Sequence, residues 1–419
     1  VEDTTSDVCV VGGGPAGLTL ALLLLRSGAT VTVVERARSF EREYRGEILQ
    51  PGGLALLDRL GVLPGLRERG AHELRHFRLG DSRRVLMDID YKKLPAPHDH
   101  LLSVPQRHLL EELLDACRPY DGFTYLDGTR VSGLVEDGGA VRGAFLRDSR
   151  GERTVRARVV VGADGRYSKT RMLAGIENDR HDVFDLDVLW FKIPAPAGPT
   201  GVVRIHRSAA TPALAYDSWP DRIQIGWTLP HKGYQEIAAR GIEYVRAEAA
   251  RALPEYADAI HEHIRALTDL TLLDVFAARA RTWVRDGLVL IGDSAHTHSP
   301  LGAQGINLAI QDAAVLHPVL VRALRDGDTG AGSLAAYEQA RSPDIDAVMK
   351  LQVMQSKGMF GGGRIAGALR PRVARLISRT PIGDRITRRI ALGNPSIRIR
   401  DDLFRPTSRP ADRSTAPCA

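Results

Sequence analysis

The sequence has 419 residues, 43% hydrophobic and 26% charged, and its 57 basic and 51 acidic side chains leave a net charge of +6. That is the balance of a soluble globular protein, with length enough for two domains. Three scattered cysteines, Cys9, Cys117 and Cys418, exclude a disulfide framework, lack metal-site spacing and fit a reducing cytoplasm.

Residues 1–7 are acidic and polar and do not read as a signal peptide. Residues 8–11 predict a buried strand, with Cys9 inert inside it. Gly12, Gly14 and Gly17 follow as G-x-G-x-x-G, and residues 18–26 predict a helix too short to span a bilayer. In this pattern Gly12 permits a tight turn, Gly14 admits a pyrophosphate, and Gly17 lets helix and strand pack closely. The next strand, 30–34, ends at Glu35, where a carboxylate accepts from both ribose hydroxyls and repels a 2′-phosphate. Ala16 and Arg36 flank these positions.

Residues 47–60 and 105–117 predict helices, and 130–136, 140–146 and 154–157 predict short strands. The run 159–161 predicts a buried strand ending at Gly162-Ala163-Asp164-Gly165, where Asp164 either caps the next helix or faces a cofactor. From 182 to about 228 alternating segments at 188–193, 202–206, 213–217 and 223–227 predict an antiparallel sheet, which also holds Trp190, Trp219 and Trp227. Helices are expected over 234–252 and 256–267 and a strand over 272–280.

The apolar run 288–291 leads into Gly292-Asp293, then a loop rich in glycine and proline, then a helix over 307–320. Unpaired N–H groups at that helix start suit an oxyanion or a ring carbonyl, and Asp293 suits sugar-like hydroxyls. His296 and His298, two apart on a loop with no third ligand, read as structuring the loop, so no metal is expected. A long helix is expected from 334 to about 357.

The cluster Gly361-Gly362-Gly363-Arg364-Ile365-Ala366-Gly367 fails as a second dinucleotide site, because its last glycine falls one residue late and no strand precedes it. From 364 to 413 arginine is frequent. Residues 371–379 space apolar and basic side chains as in a helix, either a solvated surface helix or a weak dock for anionic membrane lipid. No motif points to nucleic acid.

Three motifs thus stand in order: Gly12 to Gly17, Asp164-Gly165, and Gly292-Asp293 with the Pro300 loop. Together they resemble the single-component (class A) flavoprotein monooxygenases, the group of para-hydroxybenzoate hydroxylase, over roughly residues 7–342. The resemblance implies an α/β chain: a Rossmann-type FAD-binding domain (GR2-like) with an inserted antiparallel-sheet substrate domain and C-terminal helices. On that reading 1–75, 101–180 and 281–342 bind FAD, and 76–100 and 181–280 bind substrate. Residues 343–405 form a helical region and 406–419 a disordered tail.

The resemblance also implies FAD reduced by NADH or NADPH that has no Rossmann domain of its own, in keeping with a single fingerprint. It implies that Glu35 holds the adenosine ribose, that Arg45 in Tyr44-Arg45-Gly46-Glu47 lies near the flavin, and that Gln106 and Arg107 contact the cofactor. The stretch from Asp164 to Arg171 resembles the motif linked to both FAD and nicotinamide. Asp293 would bind the ribityl chain and Pro300 would lie near the ring. Gly302, Gly305, Ile306 and Asn307 would present backbone to it. Arg45, Pro300 and Asn307 are the catalytic candidates.

The chemistry so implied is hydride reduction of FAD, formation of a C4a-hydroperoxide with dioxygen, and oxygen transfer to an electron-rich aromatic. The substrate would be phenolic, polycyclic or quinolone-like, in antibiotic or other secondary metabolism or in aromatic catabolism. Water must be excluded and charge on the flavin met by oriented N–H groups. From the inserted sheet, Arg204, His206, Tyr216 and Gln224 are candidate activating groups, and Trp190, Trp219 and Trp227 candidate aromatic lining.

Some relatives carry an added thioredoxin-like C-terminal domain, which is expected to be absent here. Related halogenases carry Trp-x-Trp-x-Ile-Pro, whereas this chain reads Trp190-Phe191-Lys192-Ile193-Pro194, which argues against halogenation. A flavin-dependent reductase or dehydrogenase of the same fold and a non-catalytic flavin-binding protein at a membrane surface are the other readings.

Overall fold

The computed structural model describes residues 4–41, 46–80, 85–181, 186–195, 197–207, 211–360 and 380–406. Arg45, the glycine cluster 361–367, the arginine-rich stretch 371–379 and the tail from 407 lie outside the described residues.

The strand Thr4–Val11 is the centre of an eight-stranded sheet. It pairs in parallel with Val31–Val34 on one side and Gly151–Gly162 on the other, and Phe123–Leu126 and Leu288–Leu290 extend the parallel set. The runs at 8–11, 31–34 and 159–161 do not alternate, because these strands are buried on both faces. The helix Pro15–Arg26 covers one face, and its residues 16–25 are all buried. Its leucine run is therefore core, and no described helix is long and apolar enough to cross a membrane.

Several expected elements differ in detail. Residues 154–157 and 159–161 belong to one strand, Gly151–Gly162, whose outer edge pairs first with Ala140–Asp148 and then with Leu288–Leu290. The helix expected over 47–60 begins only at Pro51, because proline lacks an N–H and presets φ for the first helical position. Before it, Ile48–Leu49 pairs antiparallel with Leu101–Ser103. Residues 234–252 form two helices, Tyr234–Ala239 and Ile242–Ala252, parted at Gly241 with φ +82°. The helix expected over 256–267 shortens to Ala257–His263. Residues 272–280 split between two sheets, Thr271–Leu273 in one and Ala277–Ala280 in another. The helix after the 300 loop is longer than expected, Gly305–Asp326, and ends at Gly327 with φ +73°.

The inserted sheet has seven strands, in the order Thr271–Leu273, Leu186–Pro194, Arg222–Pro230, Pro212–Ser218, Val202–Arg207, His76–Gly80, Val85–Asp90. The last two have little sequence pattern and join through the parallel pairing of His76–Gly80 with Val202–Arg207. Side chains alternate between its faces. Leu189, Phe191, Ile193, Ala213, Ile225 and Trp227 pack on the helices Ile242–Ala252 and Ala257–His263. Trp190, Val203, Leu214 and Tyr216 face the other way, toward Ile48, Tyr91, Ala303 and Ala391. Each such large apolar side chain stabilises the fold by about 1.5–3 kcal/mol. The helix Pro381–Leu392 closes this second core through Ala391, and Gln304 Nε2 donates to Ile390 O at 3.0 Å.

Candidate active site

The three glycine-bearing loops meet at one junction. A Cβ at Gly17 would lie 2.0 Å from Gly12 O, so only glycine lets the helix start fold back on its strand. Gly12, with φ +112°, lets the 163–165 loop approach, since a Cβ there would lie 2.3 Å from Ala163 O. Gly14 differs: its Cβ would meet nothing within 4 Å. It is the N-cap of Pro15–Arg26, with no side-chain cap and no acidic residue in the first turn. Unpaired N–H groups of that turn therefore front open space, the arrangement that holds a pyrophosphate.

Buried Ala16 sits against Gly292, whose Cβ would lie 3.4 Å from the alanine methyl. Gly165 N donates to Ser294 Oγ at 3.0 Å, and Ser294 Oγ donates to Asp164 Oδ1 at 3.2 Å. Residues 12–17, 163–165 and 292–294, far apart in sequence, thus share one crevice edge. Glu35 is buried there, its carboxylate accepting from Gly13 N at 2.8 Å and Ala37 N at 2.9 Å. Arg36 is exposed.

Asp164 stands before the short helix Lys169–Leu173, which Ser168 N-caps. Its carboxylate accepts from Ser168 Oγ, from Thr170 N at 2.9 Å and from Thr170 Oγ1 at 3.0 Å. Asp293 is partly exposed and lies 3.7 Å from Arg166 Nη2.

The 300 loop is clamped to residues 46–53. Asn307 Oδ1 accepts from Gln50 N at 2.8 Å, Asn307 Nδ2 donates to Ala303 O at 2.8 Å, and Gln50 Nε2 donates to Gly302 O at 2.8 Å. The Asn307 side chain is thus a tie between two segments, and a Cβ at Gly53 would lie 2.3 Å from its Oδ1. Gly302, with φ +75°, turns the loop after Pro300, and helix Gly305–Asp326 begins with open space beside Gly305. Ile306 packs beside Gly46, whose Cβ would lie 3.6 Å from Ile306 Cδ1.

His296 and His298 brace this loop from beneath. Their rings meet at 3.0 Å, and His296 Nε2 lies 2.8 Å from Asp312, which also accepts from Gly292 N at 2.8 Å and Arg341 Nε at 2.7 Å. Burial and the neighbouring His296 push the His298 imidazole down to about 3, so it is neutral in the fold. Burial raises the Asp312 carboxyl, but His296 and Arg341 outweigh it and hold it at about 2.

Gln106 and Arg107 open the helix Gln106–Cys117, where Arg107 is half exposed and lies 3.8 Å from Glu111. The substrate candidates divide by sheet face. Trp190, Tyr216 and Gln224 face the 300 loop. His206 and Trp227 are turned away, which corrects the expectation for both. His206 lies 3.0 Å from Glu255, and Trp227 Nε1 donates to Thr211 Oγ1 at 3.0 Å within the helix-covered core. Arg204 shares that face and donates to Tyr256 OH at 3.1 Å. The cause is period two: even positions on 202–207 and odd ones on 222–230 point to the helices. Trp219 is exposed at the far end, against Gly70 and His72.

Sequence reasoning missed two polar residues on the inner face, Lys192 and Ser218, and Glu47, which reaches them from another segment. Glu47 accepts from Lys192 Nζ at 2.6 Å and from Ser218 Oγ at 2.8 Å. Glu47 and Lys192 both stood inside quoted motifs, but only strand register brings them together.

The FAD binding domain family model matches residues 5–352. The chain is 57% identical to 6-methylpretetramide 4-monooxygenase of Streptomyces rimosus, over 95% of each chain. It superposes on PqsL of P. aeruginosa, solved with 2-aminobenzoylacetate, at a TM-score of 0.75 and 26% identity, covering 87% of this chain and all of that one. The anhydrotetracycline hydroxylase OxyS of S. rimosus, at 24% identity and a TM-score of 0.74 over 93% of this chain and 76% of that one, shares the fold. The fingerprint, its contact with residues 292–294 and these likenesses agree: the chain belongs to the FAD binding domain family and is a class A, FAD-dependent aromatic monooxygenase.

Proposed function

We propose that this monooxygenase hydroxylates a fused-ring phenolic polyketide of the 6-methylpretetramide type, with NADH or NADPH as reductant. The observation that carries this reading is the 57% identity, over 95% of both chains, to an enzyme named for that substrate. Open space at Gly14 and bare first-turn N–H groups suit the FAD pyrophosphate, so the residues present fit the cofactor. When bound, FAD accepts hydride and activates dioxygen.

The chain's own residues have the following parts. Glu35, oriented by Gly13 N and Ala37 N, faces the adenosine ribose, and Asp293, steadied by Arg166, faces the polyol. N–H groups at the helix start Gly305-Ile306-Asn307 would hold the ring edge and would supply donors to negative charge there. Asp164 and the Asn307 side chain are positioning residues that hold loops together. Pro300 would border the ring, and Gln106 and Arg107 would border the cofactor from the start of their helix; Arg45, outside the described residues, keeps only the role that the resemblance implies. The inner face of the inserted sheet orients the substrate and keeps water out. Residues 76–100 and 181–280 form this substrate part around a discontinuous FAD-binding part. A cytoplasmic setting is supported by Cys9 and Cys117, both buried and unbridged.

The test is incubation of FAD-loaded protein with 6-methylpretetramide, NADH or NADPH, and isotopically labelled dioxygen. A product carrying one labelled oxygen atom is expected. Reductant consumption that yields only hydrogen peroxide would refute the substrate assignment.

A further inference from the structure

Strand register builds a polar row on the inner face of the inserted sheet. Lys192 stands opposite Gln224, and Gln224 opposite Tyr216. The adjoining row is Trp190, Gly226 and Leu214. A Cβ at Gly226 would lie 2.7 Å from the Trp190 ring, so the indole rests against that glycine. Trp190 shares an apolar cluster with Leu301, and Tyr216 shares another with Ile48 and Ala303. Both rows therefore lie on the sheet face that packs toward the 300 loop.

Glu47 reaches this face from the segment that precedes strand Ile48–Leu49. Its carboxylate accepts from Lys192 Nζ at 2.6 Å and Ser218 Oγ at 2.8 Å, while its neighbour Gly46 packs on Ile306. Two features of the polar row ask for a ligand. Gln224 Nε2 donates to Phe191 O at 3.3 Å, but the buried Gln224 Oε1 has no hydrogen-bond partner among the described residues. A buried acceptor left in that state is costly, because its water partners are lost and not replaced. The Lys192 ammonium has three donors, of which Glu47 engages one, and its side chain is 24% exposed.

We propose that Lys192 and Gln224 form a subsite for an aromatic substrate bearing two adjacent oxygens, one of them an acidic phenol or enol. The Lys192 ammonium holds the ionised oxygen, and Gln224 Oε1 accepts from the neighbouring neutral hydroxyl. Glu47 and Ser218 are positioning residues that fix the ammonium. The assignment rests on the hydroxylation reading above. An opposite charge at contact distance lowers a phenol's pKa by about 1–3 units. The proton leaves to solvent, Lys192 stays an ammonium, and the ring becomes richer in electrons for attack by an electrophilic oxygen. Burial, with the Glu47 charge beside it, pushes the Tyr216 phenol well above its ordinary range, so Tyr216 stays neutral in the row.

The probe is 1,2-dihydroxyanthraquinone, whose colour reports its ionisation, titrated against FAD-loaded full-length protein. Bound to the natural sequence, it should ionise about 1–3 pH units below the free dye. Lys192→Met should abolish that shift and weaken binding about tenfold. Lys192→Arg should restore the shift. Gln224→Leu should weaken binding while leaving the shift intact. Lys192→Met leaves Glu47 buried alone, so the double variant Glu47→Gln/Lys192→Met, which removes both charges, is measured beside it and should also lack the shift. An unchanged shift in either variant, or no dye binding to the natural sequence, overturns the proposal. The dye needs no turnover: an intact shift with no labelled product sinks only the hydroxylation reading, and labelled product with no shift sinks only this one.

Discussion

The glycine junction and the inner face of the inserted sheet are built by opposite means. At residues 12–17 the working groups are backbone N–H donors, and side chains matter by being absent. On the sheet, Lys192, Ser218 and Gln224 stand on three strands and Glu47 comes from a fourth, distant segment, so side chains matter by being gathered. A backbone site is written locally, because a few adjacent residues set its shape. A gathered site is written in register, which no single stretch displays.

The comparison can be broken first at Gly17. Gly17→Ala drives a methyl to within 2.0 Å of Gly12 O, inside a rigid turn. A loss of about 3 kcal/mol or more is expected, seen as failure to recover folded protein. Gly14→Val is the counterpart, since its side chain enters space that the protein leaves open. The circular-dichroism melt should stay near that of the unaltered apoprotein while FAD affinity falls on the order of a hundredfold, about 3 kcal/mol. If both substitutions unfold the chain alike, the distinction between a packing glycine and a cradle glycine fails.

Acid sharpens the contrast at the second backbone loop, 292–307. His298 is held neutral in the fold at about 3, whereas the unfolded imidazole takes up a proton below about 6.5. Its contribution is complete above about 6.5 and is lost as pH falls toward 3. Buried His317, pushed down to about 4 by burial and then Arg400, acts in the same window. Asp312 follows, its contribution present above the ordinary carboxyl pKa and lost as pH falls through about 2. The melting temperature should fall steadily between pH 6.5 and 4, and His298→Gln should flatten that slope. A slope unchanged by the substitution would place the acid sensitivity elsewhere.

The smallest effect is expected at His206, on the helix-covered face. His206→Asn removes a partly exposed contact with Glu255 and should change stability by about 1 kcal/mol or less. Steady-state kcat/KM should not change. A large loss of turnover would bring His206 back to the substrate side.

The sequence made the nucleotide half legible because its signals are short-range. Three glycines, a strand run and Glu35 fall in one stretch, and Glu35 indeed lies against Gly13. The break before Pro51 was hidden because residues 47–60 are apolar at a spacing that suits a helix, while Ile48–Leu49 takes its pairing from strand Leu101–Ser103. Asp164 reads in two ways, and its local bonds to Thr170 N and Oγ1 are compatible with both. Facing on the inserted sheet was not readable at all. His206 and Tyr216 look alike as polar candidates, and only the alternation of each strand, fixed by its neighbours, sends one to the helices and the other to the face beside Ile48 and Ala303.

Ala391 closes the apolar cluster that holds Ile48 and Tyr91, and the Ile390 carbonyl steadies Gln304. The apolar wall behind the 300 loop is therefore finished by a helix that leaves the ribosome more than three hundred residues after the first clamp strand. Joining partners so remote makes for slow, late folding. The first clamp strand, Ile48–Leu49, is therefore synthesised long before the helix that finishes its apolar cluster.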